Sequence, residues 1–376
     1  MKRKQKKKHK WKKRLLLLCL LLVAVPAGYI AVIFGYMGRV EPKTDAESTS
    51  TESAIYTLEE FKEKLKPYQG LYEEAVEAHR NEPESGTYAI PGLEATVTLT
   101  ENGAGTKSVC TNMTPQGIAV SENYLFISAY CHTKKHNSVI YMIDKESHEF
   151  LKEIVLPNKA HVGSVAYDGK NNNLWVCGSR NGIAQVNAIA MEEIESYCFE
   201  DRWEPIQFLH VNNILDIPRS SFMTYYNSYL YVGYYSTKED SMVKKYEVQE
   251  DGNIHNVPLN RKSRKTRKGV ASDEDLIISR YAQGMTFLGD ILFLSYSQGI
   301  FPSRLAAYEV SDGIQDYTDK MALEDIRLPY MLEQIYMDGG TMYLLFESGS
   351  YAYRYLPGIS VDRVLKIDLL EEESGS

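Results

Sequence analysis

The feature that most limits what this chain can become is a pattern of short apolar runs that recurs five times. Its clearest copy is Thr114 to Asp144, TPQGIAVSENYLFISAYCHTKKHNSVIYMID, in which Gly117 to Val120, Tyr124 to Ala129 and Ser138 to Ile143 are separated by polar turns. Runs of this length between turn residues read as hairpin-linked antiparallel strands. One such unit cannot bury both of its faces, whereas copies stacked side by side can. The first strands align as Gly117-Ile118-Ala119-Val120, Ser164-Val165-Ala166-Tyr167, Phe222-Met223-Thr224-Tyr225, Gly284-Met285-Thr286-Phe287 and Gln334-Ile335-Tyr336-Met337. Their anchors Ile118, Val165, Met223, Met285 and Ile335 lie 47, 58, 62 and 50 residues apart. Each is followed by a second apolar strand, such as Leu174-Trp175-Val176 or Leu292-Phe293-Leu294, and by a third, such as VIYMID (139–144) or LAAYEV (305–310).

This spacing lies at the long end of the ~40–50 residues usual for four-stranded propeller blades. The fold class expected is therefore all-β, a β-propeller of five or six four-stranded blades over residues 88–370, preceded by a transmembrane helix and a short helical segment. The strings Gln116-Gly117-Ile118-Ala119-Val120, Val165-Ala166-Tyr167-Asp168 and Asn173-Leu174-Trp175-Val176 resemble the repeats of YVTN and NHL-type β-propellers, a superfamily that includes lactonase-like enzymes. For a metal-dependent lactonase the resemblance implies a Glu and Asn/Asp set converging on the central channel. The aligned channel positions here are Gln116, Gly163, Ser221, Gln283 and Glu333, only one of them acidic, so that activity does not carry over. Closure is expected from the alternating stretch Glu94 to Thr100 as the outer strand of the last blade, with a sixth blade only if residues 88–113 and 350–369 make one.

The N-terminus sets the location. Residues 1–14, a basic tail, hold ten Lys or Arg, and an uncharged, mostly apolar run follows over residues 15–37. In a helix those residues rise about 34 Å, enough for a hydrocarbon core of about 30 Å. The run is too long for a cleaved secretory signal, and Val25-Pro26-Ala27 is a poor cleavage site. The expectation is a single-pass cell-membrane protein with its N-terminus cytoplasmic and its body extracellular. Residues 38–56 read as a flexible linker, residues 57–87 as a helical brace or stalk opening on a Thr57/Glu60 capping box, and residues 371–376 as an acidic tail.

Net charge is −8; without the ten N-terminal cations it is −18 for residues 15–376, which argues against a nucleic-acid partner. Beyond Cys19, the cysteines Cys110, Cys131, Cys177 and Cys198 permit two disulfides in any of three connectivities, or serve as small buried apolar residues. No cofactor and no metal are expected: there is no CxxC, and the His132/His136 spacing falls in a turn. Nor is there a G-x-S-x-G, P-loop or G-x-G-x-x-G motif.

Candidate ligand-binding residues come from the starts of the innermost strands and the loops that leave the second strands, which face the ends of a propeller's channel. They are Gln116, His132, His161, Arg180, Gln283, Glu333 and Glu347, with Tyr130, Tyr234 and Tyr235 beside them. Gln116 and Gln283 have a plainer alternative role as ties between neighbouring blade backbones. A second candidate surface is the loop containing Arg261, Lys262, Arg264, Lys265, Arg267 and Lys268, six cations in eight residues between the third and fourth blades. Its expected partner is an anionic cell-wall polymer or lipid surface. Two functions remain: a surface propeller that binds a protein, glycan or small ligand, and a propeller hydrolase or lyase working at the channel.

Overall fold

The computed structural model describes residues 19–20, 22–33, 35–40, 51, 55–100, 105–254, 256–259, 267–270, 272–311 and 313–370. Its strands form five blades. Blade 1 comprises Met113–Val120, Tyr124–Cys131, Val139–Asp144 and Phe150–Val155, in that order from the axis outward. Blade 2 starts from Val165–Asp168, Asn173–Arg180, Ile183–Ala190 and His210–Ile214; blade 3 from Phe222–Tyr226, Tyr229–Gly233, Ser241–Glu247 and Glu274–Ile278. Blade 4 comprises Ala282–Leu288, Ile291–Tyr296, Ser303–Glu309 and Glu324–Leu328. Blade 5 takes Leu332–Asp338, Thr341–Phe346 and Arg363–Asp368 from the C-terminal end and Tyr88–Ala89 from the N-terminal side. The five innermost strands pack against one another in a closed ring.

Closure therefore differs from the sequence expectation. Tyr88 pairs with Val364 and Ala89 with Arg363, and Ile90 N–H donates to the Asp362 carbonyl. Glu94 to Thr100 is not the outer strand: Thr96–Thr100 pairs instead with Thr106–Cys110 in a separate hairpin, and among the described residues there is no sixth blade. The local partner wins because Thr100 and Thr106 are near neighbours in the chain, so little loop entropy is lost in closing the hairpin. Closing blade 5 then needs only a two-residue ladder, held by buried Arg363, whose Nη1 donates to Glu84 Oε2 at 2.6 Å.

The long 58- and 62-residue spacings come from insertions between third and fourth strands. Blade 2 carries the short helices Met191–Ser196 and Phe199–Arg202 there. Blade 3 carries Asn256–Leu259 and Arg267–Val270, a hairpin that crosses over to lie on the outer edge of blade 2. The basic loop thus lies within blade 3 rather than between the third and fourth blades. Arg261, Lys262, Arg264 and Lys265 lie outside the described residues, as do the side chains of Arg267 and Lys268.

Leu58–Leu65 is a helix with both capping-box bonds formed, Thr57 Oγ1 accepting from Glu60 N–H and Glu60 Oε2 from Thr57 N–H. Its apolar side, Phe61 and Leu65, is fully buried against Leu332, Leu344 and Leu365 of blade 5. The segment braces the blade whose two ends come from opposite parts of the chain.

Residues 22–33 are helical, and among the described residues no helix is long and apolar enough to cross a membrane; residues 15–18, 21 and 34 of the expected span lie outside them. The end of this segment rests on the propeller. Ile33 packs with Tyr330, Met331 and Leu356, and Asn112 Nδ2 donates to the carbonyls of Met37 and Val40 at 3.0 and 2.9 Å.

One side chain ties the axis together. Gln334 is fully buried, and its Oε1 accepts from Ile118 N–H (2.8 Å) and Val165 N–H (3.2 Å). Its Nε2 donates to the carbonyls of Val165 (2.8 Å) and Met223 (3.1 Å), so blade 5 holds the inner strands of blades 1, 2 and 3. Room for it exists because three of the equivalent positions hold small residues, Gly117, Ser164 and Gly284. A Cβ on Gly117 would lie 2.6 Å from the Ser164 Cα, and one on Gly284 would lie 2.9 Å from the Gln334 Cα. Glycine at these points is what lets neighbouring backbones approach.

Candidate functional site

The inner strands of blades 1, 4 and 5 share an irregularity at the channel mouth. Register slips between Pro115 and Gly117, between Ala282 and Gly284 and between Leu332 and Ile335. A bulge places one extra residue on a strand and re-aims its side chain. Here it turns Gln116, Gln283 and Glu333 into one concavity, together with Glu347 from the loop after the second strand of blade 5 and His161 from the loop before blade 2. The cavity measures about 410 Å³, and its walls include Tyr130, Tyr235, Tyr353, Arg219, Ser220, Ser221 and Met331.

The polar groups are connected in a chain. His161 Nε2–H donates to Gln116 Oε1 at 2.5 Å, and Gln116 Nε2 donates to Glu347 Oε2 at 2.9 Å. Gln283 Nε2 donates to Glu333 Oε1 at 3.1 Å. The Glu333 and Glu347 carboxyls face each other closely enough to interact and to be linked by a shared proton. Burial, and then the neighbouring Glu347 charge, raises Glu333 well above the carboxylate range. Burial raises Glu347 to about 7, opposed by the hydrogen bonds from Glu333 and Gln116. The pair thus shares a proton at neutral pH, as two carboxyls in contact must when both cannot ionise. Burial, then the nearby His132, lowers His161 to about 4. His161 keeps an exposed face toward the cavity, and its ring is neutral and able to donate.

A second chain runs behind the wall. The Tyr353 hydroxyl donates to Tyr130, and Tyr130 to His132 Nδ1 at 3.1 Å, with burial lowering the His132 pKa. His132 therefore supports Tyr130 rather than lining the cavity. Arg180 ends its strand exposed and does not line it either. Of the seven ligand-binding candidates, the fold brings Gln116, His161, Gln283, Glu333 and Glu347 together. Gln116 and Gln283 do not tie blade backbones across the axis; that role belongs to Gln334, one position after Glu333. Sequence reading missed Tyr353 and Arg219. The signal for Tyr353 was the unusually long connection, residues 347–362, that leaves the second strand of blade 5.

The cysteines settle differently from a two-disulfide framework. Among the described residues no cysteine pair forms a disulfide; Cys177 is buried in blade 2 and Cys198 is exposed. Cys110 and Cys131 meet beside His136, and a hydrogen bond from Cys110, followed by those of His136 and Thr133, lowers the Cys131 thiol to about 3 against the effect of burial.

No family profile and no curated protein matches this chain. Among solved structures, the chain is similar to one from a nidogen/laminin complex, at 10% identity over 69% of this chain and 84% of that one, with a TM-score of 0.36. It is also similar to a GH43_1 enzyme from Xanthomonas citri, at 11% identity over 75% and 92%, with a TM-score of 0.38. At these TM-scores the likenesses carry no argument; the propeller is established by the five blades closed into a ring, as the repeats led one to expect.

Proposed function

We propose that this is a membrane-anchored, extracytoplasmic five-bladed propeller that binds a small hydroxyl-rich ligand, such as the end of a glycan, at its channel mouth. The observation that carries the reading is the connected chain His161–Gln116–Glu347–Glu333–Gln283 lining one cavity. Fixed donors and acceptors in a concavity with three tyrosine faces match what a sugar offers, hydroxyls at its edge and an apolar ring face. The anchor reading rests on the ten cations next to the apolar run of residues 15–37.

Glycoside hydrolysis fits less well. Retaining and inverting enzymes hold their two carboxyls about 5–5.5 Å or about 6.5–9.5 Å apart, whereas the Glu333 and Glu347 carboxyls interact directly and share a proton, which leaves no room between them for a sugar or a water. A hydrolase of another type is the second reading, favoured by one observation: Glu347, raised to about 7, has the pKa of a general base. Titration calorimetry of the full-length chain against a panel of soluble glycan fragments, with Gln283→Ala as the site variant, tests the binding reading. Binding that Gln283→Ala abolishes, without turnover of the fragment, supports it. No binding across the panel, or turnover lost in Glu347→Gln, overturns it.

A further inference from the structure

Away from the channel, three ligating side chains meet where the hairpin outside the blades docks on blade 1. Cys110 ends the hairpin strand Thr106–Cys110, Cys131 ends Tyr124–Cys131, and His136 lies in the loop that follows. All three are buried, and one ligand atom from each lies within 4.8 Å of the other two. The Cys131 Sγ to His136 Nδ1 distance is 3.4 Å. A tetrahedral ion with Zn–S of about 2.3 Å and Zn–N of about 2.0–2.1 Å sets its ligand atoms about 3.5–3.8 Å apart, which is the scale of this triangle.

The surroundings suit a ligating histidine. His136 Nε2 lies 3.1 Å from Ser108 Oγ, an outer contact that orients the ring and leaves Nδ1 facing the sulfur. The backbone fixes the loop as well, because His136 bridges to Thr100 and Asn137 N–H donates to the Leu99 carbonyl at 2.8 Å. The cysteines are thiols rather than a disulfide.

We infer that Cys110, Cys131 and His136 form a binding site for a thiophilic, zinc-class metal ion that pins the 96–110 hairpin to blade 1. Two sulfurs and an imidazole select such an ion over magnesium or calcium, which take oxygen ligands. The Thr133 hydroxyl, 3.1 Å from Cys131 Sγ, or a water is left to fill the fourth position. This site is separate from the channel and does not depend on the ligand-binding reading.

The test loads the full-length chain, purified under reducing conditions without chelator, with Co²⁺ and then Zn²⁺. The expected result is about one ion per chain and a thiolate-to-cobalt charge-transfer band that Zn²⁺ displaces. Affinity should fall at least roughly tenfold in His136→Gln and in Cys131→Ser, and stay unchanged in Cys198→Ser. Should Cys131→Ser fail to fold, His136→Gln and a competition titration of the unaltered chain against a chromophoric chelator decide the matter. Wild-type protein that does not compete for Zn²⁺, or a His136→Gln variant that takes up Co²⁺ as tightly as wild type, overturns the site. So does native protein about 2 Da lighter than its reduced form, with a peptide linking Cys110 to Cys131, since that pair is then a disulfide.

Discussion

Replacing both members of the carboxyl pair, Glu333→Gln with Glu347→Gln, should change how stability depends on pH. Each carboxyl holds its proton more tightly folded than unfolded, so between the unfolded value of 4.5 and the folded value of about 7 the native state carries the extra proton at Glu347. Stability contributed by the pair is then full below the unfolded value and is lost as pH rises toward 7. A rise from 4.5 to about 7, at about 1.4 kcal/mol per unit, gives about 3 kcal/mol. Glu347 keeps a partly exposed edge, so about 2–3 kcal/mol is the working figure. Glu333 acts in the same direction, from the same unfolded value up to a higher folded one, so the figure for Glu347 alone is a lower bound for the pair. His161 tilts the curve the opposite way, because a depressed imidazole makes the native state lose stability as pH falls from 6.5 toward 4. The informative quantity is therefore the difference between variant and wild type. At pH 5, where the native carboxyls are protonated and an amide is a fair substitute, the two should melt together. By pH 8 the variant should be the more stable by at least about 2–3 kcal/mol, roughly 3–5 °C in Tm for a domain of this size. Thermal melts at pH 5, 6, 7 and 8 measure this. A variant-minus-wild-type difference that is the same at pH 5 and pH 8 would refute the shared proton.

Gln334→Ala takes a partner from the buried Ile118 N–H, Val165 N–H and Val165 carbonyl, the Met223 carbonyl keeping Ser164 Oγ, and should cost about 3 kcal/mol, whereas Gln283→Ala, half-buried at the cavity, should shift the melt far less while ligand binding is lost; equal shifts in denaturant midpoint would contradict that division. In His161→Gln, the loss of stability between pH 6.5 and 4 should shrink relative to wild type, and an unchanged acid limb in the melting curve would show that His161 is not held neutral. Protease added to intact cells should release residues 41–376 and leave the anchor behind; a body protected until the cells are opened would contradict the expected topology. Changing Arg264, Lys265, Arg267 and Lys268 to Gln should weaken binding to anionic vesicles or wall material at low salt, where screening is least, and equal sedimentation of both proteins would count against a docking role.

Much of the fold was legible because it is written locally. Each inner and second strand announces itself by a short apolar run between polar turns, and the anchors Ile118, Val165, Met223, Met285 and Ile335 all fall in the five inner strands. The capping box at Thr57 and Glu60 is equally local, with donor and acceptor three residues apart. The closing strand was not legible, since Tyr88–Ala89 has two residues and no periodicity; its identity is fixed by a partner about 275 residues away in the chain. Adjacent residues Glu333 and Gln334 look interchangeable in the sequence, yet a bulge sends one to the cavity and the other to the axis, because a one-residue change of register reverses the face a side chain takes. Likewise Glu347 was named from its loop, but its proton sharing with Glu333 exists only once burial and contact set both carboxyls in one low-dielectric site. The triangle of Cys110, Cys131 and His136 follows the same rule. Sequence supplied the residue types, and only the docking of the 96–110 hairpin on blade 1 brought their ligand atoms within reach of one another.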